Sequence, residues 1–320
     1  MDVDLFLRFL LNGIGNGAVY GAMALALVLI FRTTGLLNLA QGEMALFSTY
    51  MGWGLTATGM TIFGLQVLPG GLPVGLAIVV SVLISAVLGA AIERFLIRPV
   101  HGPDKSPLNV LIVMLGLFLG LNALAQLAFS DDAEPMPKPW PSKASPGSPT
   151  GSNRFWQVGD LRIQASIVAM VVMLAVVCLL LYVLFQRTKV GLKLRAVASN
   201  PESARLVGIN SSRMLMLGWA MAAGLGALAG CFVAAERTSV NPGLMAVVLV
   251  YASAAAALGG FDSPVGAVVG GMIVAIAESM TVGYVKALST IELVVPFGLI
   301  LLVLLVRPTG LFGKRTVERV

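Results

Sequence analysis

Asn38, Gln41 and Glu43 fall within GLLNLAQGEMALFSTYMG, Gly35–Gly52, a stretch that is otherwise apolar or small. Two amides followed by a carboxylate can present donors and acceptors to a polar solute, and the same groups can pin a helix end or a broken turn. A second such carboxylate, Glu278, lies in GGMIVAIAES on a segment where Gly270, Gly271, Val274 and Ala275 mark a closely packed side. A charged side chain inside a bilayer costs roughly 2.5–3.5 kcal/mol on insertion scales, so each of these carboxylates needs a compensating role. Asn38, Gln41, Glu43 and Glu278 are therefore candidates for a hydrated solute pathway, with buried bracing, in the neutral form where required, as the competing role. NPGL at Asn241–Leu244 and ALGGFDSPVG at Ala257–Gly266 read as helix breaks. Such breaks expose backbone dipoles that can hold a zwitterion, although Gly and Pro serve plain turns equally well.

Residues for other chemistry are sparse. The one histidine, His101, lies in a loop; there is no G-x-S-x-G elbow and no Cys, His or carboxylate cluster with ligand spacing, so no catalytic residue and no metal site are expected. ALGGFDSPVG and PTGLFGKRT lack the spacing with which a phosphate-binding loop cradles a nucleotide. If ATP drives this protein, another polypeptide hydrolyses it. The two cysteines, Cys178 and Cys231, each sit in the middle of an apolar run, where a thiol behaves as a small apolar side chain, and no disulfide is expected.

The elements that must hold these residues are set by composition. Of 320 residues, 58% are hydrophobic and 11% charged, against a charged share of roughly a quarter in soluble domains. Charge-free runs separate Arg8 from Arg32, Glu43 from Glu93, Lys105 from Asp131, Arg162 from Arg187 and Arg213 from Glu236. About 20 apolar residues cross a bilayer as a helix. The expected helices are Phe9–Phe31, Leu36–Leu55, Leu72–Ile92, Pro107–Phe129, Ser166–Phe185, Met214–Ala235, Leu244–Leu258, Pro264–Val282 and Ile291–Val306. The fold class is thus an all-α polytopic membrane protein of one transmembrane domain over residues 1–320, with eight or nine spans, some broken; Leu244–Leu258, followed by Gly259–Gly260, is a candidate broken or re-entrant element. The acidic start MDVDLFLRFL lacks a basic region and a cleavage site, so no removable signal peptide is read.

Lys and Arg set the orientation. Gln186–Arg213 carries six of them against one acid, Glu202, and the tail 307–320 adds Arg307, Lys314, Arg315 and Arg319; both are expected on the cytoplasmic side, with Arg94, Arg98 and Lys105. The net charge of +6 is therefore topological and gives no case for nucleic-acid binding. Residues 130–164 are charge-balanced and rich in Pro, Ser and Gly, as expected of a mobile external loop. Within the cytoplasmic loop, Asn200 is a plausible N-cap, Pro201 suits the first turn, Glu202 complements the helix N-terminus and Gly208 ends the helix, so Pro201–Val207 is read as a short helix lying along the membrane. Ala204, Leu206 and Val207 would offer it apolar contacts, and Arg195 and Arg205 charged ones, to a soluble partner; an ordinary basic loop is the plainer alternative. Gly13, Gly17 and Gly21 share one face of the first helix, and Gly218, Ala222, Gly226 and Gly230 one face of another, spacings that let backbones approach closely in lipid.

Several stretches, in order along nearly the whole chain, resemble one family: the membrane permeases of bacterial ABC importers for branched-chain amino acids. GLLNLAQGEMALFSTYMG is similar to its N-F-A-H-G-E segment, AAIERFLIRPV to its E-R-x-x-x-R-P-V, GLKLRAVASNPESARLVGIN to its cytoplasmic loop, AALGGFDSPVGAVVGGMIVAIAES to its A-L-G-G block and RPTGLFGK to its P-T-G-[IL]-x-G tail. The resemblance implies a multi-pass subunit of the bacterial inner membrane, with a cytoplasmic C-terminus. It would pair with a second permease, identical or homologous, with two ATPase subunits that use ATP and Mg, and with an external solute-binding protein. It also implies that Gly191–Asn210 docks the ATPase: Arg195, Ala196, Ala204, Gly208, Ile209 and Asn210 match that motif, and Pro201, Glu202, Arg205 and Leu206 fill its helix. The chain departs from the family at Leu39, Gln41, Phe261 and Asp262. Those departures leave urea, short amides or other amino acids open as solutes. A passive channel or an ion-coupled carrier is the alternative from another class.

Overall fold

In a computed structural model, the described residues are 3–57, 59–62, 65–102, 106–145, 148–158, 161–285, 293–307 and 309–313. The chain runs α1 (Val3–Thr34), α2 (Gln41–Thr56), a hairpin of β1 (Gly59–Ile62) and β2 (Leu65–Pro69), α3 (Val74–Ile92) extended by a π turn at Glu93–Ile97, and α4 (Pro107–Ala128). There follow β3 (Glu134–Pro135), β4 (Ser142–Ser145), β5 (Ser148–Asn153), β6 (Phe155–Val158), β7 (Leu161–Gln164), α5 (Ala165–Arg187), α6 (Lys189–Ser199) and α7 (Pro201–Leu206). The chain continues through α8 (Ser211–Arg237), β8 (Ser239–Val240), α9 (Leu244–Gly259), α10 (Pro264–Tyr284) and α11 (Val294–Val306).

Among the described residues, six helices, α1, α3, α4, α5, α8 and α10, are long and apolar enough to cross a bilayer. At 1.5 Å per residue, the 16 residues of α2 or α9 reach about 24 Å and the 13 of α11 about 20 Å, each short of a hydrocarbon core of roughly 30 Å. The surfaces are those of a protein in lipid. On α3 the exposed stripe is Leu76, Val79, Leu83 and Val87, while Ala77, Ser81, Ser85 and Gly89 are buried. Large apolar side chains face outward and small or polar ones face the packed interior, because helices associate in lipid by close approach and hydrogen bonding.

The described residues form two compact units. The first comprises Met1–Val28, Trp140–Leu174 and Val247–Val320. Here α1 and α10 run antiparallel in close contact. A Cβ added at Gly13 would lie 2.8 Å from Ile276 Cα, one at Gly17 2.9 Å from Met272 Cα, and one at Gly21 3.4 Å from Val268 Cα. The buried rings of Tyr20 and Tyr251 stack at 4.7 Å. A short C-terminal strap closes the end of α9, where Leu311 N donates to Leu258 O at 2.8 Å and Phe312 N to Gly259 O at 3.0 Å, satisfying carbonyls that a helix end leaves without partners. Residues 314–320 of the expected tail lie outside the described residues, as do Ile291 and Glu292 at the start of the last expected helix.

The second unit comprises Leu29–Pro139 and Ala175–Ala246. Its centre is α2 packed between α3 and α8. Ser85 Oγ donates to Ala223 O at 2.9 Å and accepts from Ser48 Oγ at 2.8 Å, which stitches the three helices together.

Three expectations are corrected. The second helix starts at Gln41, five residues after the expected Leu36, so Asn38 lies in the connection before it. Residues 130–164 contain the hairpins β4–β5 and β6–β7, a short pairing of β3 with β8, and buried Met136 and Trp140, where only a mobile loop was expected. Local antiparallel pairing satisfies the backbone there without needing a large core. The basic loop holds a second helix, α6, before α7. Thr188 Oγ1 caps it by accepting from Gly191 N at 3.0 Å, and Gly191, Leu194 and Val197 form its buried face.

Candidate functional site

The second unit determines how deep in the protein α2 begins. Gln41 Nε2 donates to Ala222 O at 2.9 Å, Ala45 meets Gly226, and Thr49 and Ala45 meet Gly230, so α2 runs parallel to α8 with Gln41 level with Ala222. Ala222 is eight residues beyond Met214, where the apolar run of α8 starts, a rise of about 12 Å. A helix that opens at that depth depends on protein groups around its first turn. Asn38 holds the connection just before it: its backbone O accepts from Gln41 N at 3.2 Å, its Oδ1 accepts from Ala40 N at 3.1 Å, and its Nδ2 donates to Gln41 Oε1 at 3.2 Å. Gly35, with φ +69°, lets the chain turn between α1 and this connection. Asn38 and Gln41 are both fully buried and hydrogen-bond protein groups, which makes them braces of the helix start.

Glu43 behaves differently. It is 2% exposed, and its carboxylate accepts one hydrogen bond, from Asn122 Nδ2 to Oε2 at 2.9 Å. Asn122 also donates to Pro242 O at 3.3 Å, and Gln126 Nε2 donates to Asn122 Oδ1 at 2.5 Å. The two amides of α4 thus form a relay that ends on the carboxylate. Together they line an open cleft of about 780 Å³ with Asp131, the apolar Phe118, Leu119 and Leu127, and the Asn-Pro-Gly turn before α9. The volume is in the range of small-molecule sites. Asn122 and Gln126 fall outside the set that the sequence predicts, yet they carry a signal, being two amides at i and i+4 inside the charge-free run from Lys105 to Asp131.

Glu278 belongs to the first unit and is 7% exposed on α10, one residue before Ser279, whose Oγ donates to Phe9 O at 2.7 Å.

The basic loop presents a distinct surface. Asn200 Oδ1 accepts from Ser203 N at 2.9 Å to cap α7, and Gly208, with φ +80°, closes it as Gly208 N reaches Arg205 O and Ile209 N reaches Ala204 O. Ala204 is 3% exposed, so its methyl packs inward and is unavailable to a partner, a correction that follows from its place on the inner side of the turn. Pro201, Glu202 and Arg205 are exposed, and Leu206 and Val207 are 89% and 75% exposed, so the outer face combines apolar and charged groups. Arg195, exposed on α6, donates from Nη1 to Gln186 Oε1 at 3.3 Å. At the end of α3, Arg98 pairs with buried Glu93 through two hydrogen bonds, Nη2 to Oε2 at 2.7 Å and Nε to Oε1 at 3.2 Å, and also donates to Ser212 O at 3.2 Å.

The two glycine rows expected at helix interfaces lie in different units. Gly13, Gly17 and Gly21 face α10, whereas Gly226 and Gly230 face α2 and Gly218 meets only the Thr33 side chain, at 3.5 Å. Among the described residues no group of three or more His, Cys, Asp or Glu side chains is placed to hold a metal ion.

Comparison with known proteins draws these features together. The chain is 28% identical over 319 residues to the high-affinity branched-chain amino acid transport system permease protein BraD of Pseudomonas aeruginosa, spanning 100% of this chain and 99% of that protein. It is 29% identical over 322 residues to the permease protein LivH of Escherichia coli K12, spanning 98% of each. The solved structure of PsaBC from Streptococcus pneumoniae in complex with Fab superposes with a TM-score of 0.46 at 16% identity, over 95% of this chain and 92% of that one. The family described as branched-chain amino acid transport system / permease component matches residues 9–304, and this membrane-helical chain belongs to it.

Proposed function

We propose that this chain is the permease subunit of an ATP-driven importer that passes branched-chain amino acids across the bacterial inner membrane. The observation that carries this reading is its correspondence with permeases named for that transport, over 98–100% of this chain and 98–99% of theirs. The subunit works beside a second permease, two ATPase subunits that use ATP and Mg, and an external binding protein that delivers the solute. Its residues 1–320 act as one permease domain, with α2 and α11 adding to the six long helices to make eight membrane elements, or nine with the short α9. Residues 186–213 and the tail 307–320 face the cytoplasm and residues 130–164 face outward, in keeping with the distribution of Lys and Arg.

In this reading α6 and α7 form the surface that the ATPase grips. The exposed Arg205, Leu206 and Val207 suit such a contact, because an exposed apolar pair beside a charge marks a protein interface. The test is a detergent pull-down from the native membrane, with ATPase activity assayed for wild type and for a variant carrying Arg205→Glu and Leu206→Asp. A nucleotide-binding subunit is expected to accompany the wild type and to be lost or uncoupled in the variant. If wild type brings down no ATPase under mild conditions, or transport survives ATP depletion, a channel or ion-coupled carrier replaces the importer.

A further inference from the structure

We propose that the cleft at Glu43 is the point where the permease holds the ammonium end of its solute, with the branched chain lying along Phe118, Leu119 and Leu127. This assignment rests on the importer reading and adds to it the place and chemistry of recognition. The lining contains two carboxylates, Glu43 and Asp131, two amides, Asn122 and Gln126, and, among the described residues, no Lys, Arg or His. Glu43 accepts one hydrogen bond from protein, and the two oxygens of its carboxylate have further acceptor sites where it borders the cleft. Burial without a balancing cation is costly, and a solute cation that supplies N–H donors removes that cost when it binds.

The amide relay decides the polarity of the site. Gln126 donates to Asn122, and Asn122 donates to Glu43 and to Pro242 O, so the amide hydrogen bonds of the cluster run toward the Glu43 carboxylate and the Pro242 carbonyl. No described cation is available there for a carboxylate, and a solute entering carboxylate first would meet Glu43 and Asp131 as like charges. An amine-first orientation satisfies Glu43 and places a four-carbon apolar group against the apolar part of the lining, where Leu119 and Leu127 are exposed. Asn38 and Gln41, which share the motif with Glu43, are consumed in bracing the start of α2 and do not serve the solute.

The experiment is equilibrium binding of radiolabelled leucine to the intact transporter complex in lipid nanodiscs, without the solute-binding protein. Two competitors are used: isopentylamine, which keeps leucine's amine and branched chain but has no carboxylate, and isocaproate, which keeps the chain and carboxylate but has no amine. Isopentylamine is expected to displace leucine and isocaproate is not. Glu43→Gln is expected to weaken leucine binding by about tenfold or more and to abolish the preference for the amine, the effect expected for losing hydrogen bonds to a charged group. Gln126→Leu, at an exposed position where folding is not at stake, is expected to weaken binding severalfold. It decides the matter if Glu43→Gln fails to assemble. Equal displacement by isocaproate, unchanged binding in the variants, or no leucine binding at millimolar concentration would overturn the assignment. ATP-driven leucine uptake by the wild-type complex with its binding protein separates the two claims. If uptake is present and the variants bind normally, only the cleft assignment fails; if no aliphatic amino acid is taken up, the importer reading fails.

Discussion

Gly89→Leu is expected to abolish the folded subunit, while Gly116→Leu, the same change on a neighbouring helix, is expected to leave it intact. Gly89 lies where α3 crosses α8 in antiparallel contact. A Cβ built there would be 2.6 Å from Trp219 O and 2.6 Å from Ala223 Cβ, and a backbone carbonyl cannot move aside as a side chain can. Overpacking commonly costs 1–3 kcal/mol, and a whole isobutyl group against backbone exceeds about 3 kcal/mol. The same displacement would separate Ser85 from Ala223 O and loosen the start of α2 above Ala222. Gly116 has no atom within 4 Å of its built Cβ, so its substitution adds an apolar side chain to an outward face. The measurement is the yield of monodisperse protein and the midpoint of thermal unfolding in detergent. Equal loss in both variants would show that insertion, and not the contact between α3 and α8, sets the requirement for glycine.

The second large effect is expected at Arg98. Glu93 is buried, with its side chain 3% exposed, and its charge is balanced by the paired contacts from Arg98, whose own side chain is 33% exposed. Removing one partner of a buried pair leaves an uncompensated charge and costs about 3–5 kcal/mol; solvent reaching Arg98 puts the expectation for Arg98→Ala at the lower end, about 3 kcal/mol. Arg98 also donates to Ser212 O at the start of α8, four residues after Gly208 closes α7, so the loss propagates to the base of the basic loop. Replacing the acid as well, in Glu93→Gln with Arg98→Ala, is expected to restore more than half of the lost stability, because the stranded charge is gone. Thermal or denaturant unfolding of the four proteins of this cycle checks it. A double variant no more stable than Arg98→Ala alone would mean that the contact with Ser212, and not the ion pair, carries the effect.

Features decided by neighbours in the chain were legible in the sequence. Length, apolar runs and the placement of Lys and Arg located the helices, because the bilayer imposes one length on a crossing and one cost on a charge. The cap, proline and terminating glycine of α7 were readable for the same reason, since Asn200, Pro201 and Gly208 act within a single turn. The face of α6 was also written in its period, through Gly191, Leu194 and Val197, but the length of the surrounding basic loop concealed it.

Tertiary structure alone decided what the polar residues do. Asn38, Gln41 and Glu43 are neighbours in sequence, yet the first two brace the opening of α2 while the third pairs with an asparagine 79 positions away. That division depends on α2 starting level with Ala222, a register set by small residues of two helices packing in parallel. The glycines show the same limit. Gly218 shares its sequence spacing with Gly226 and Gly230 but has a roomy neighbour, whereas Gly89, which closes the small-residue row Ala77, Ser81 and Ser85 of α3, touches backbone. Spacing along a helix tells which residues share a face; which helix meets that face, and how closely, is decided by contacts between segments far apart in the chain.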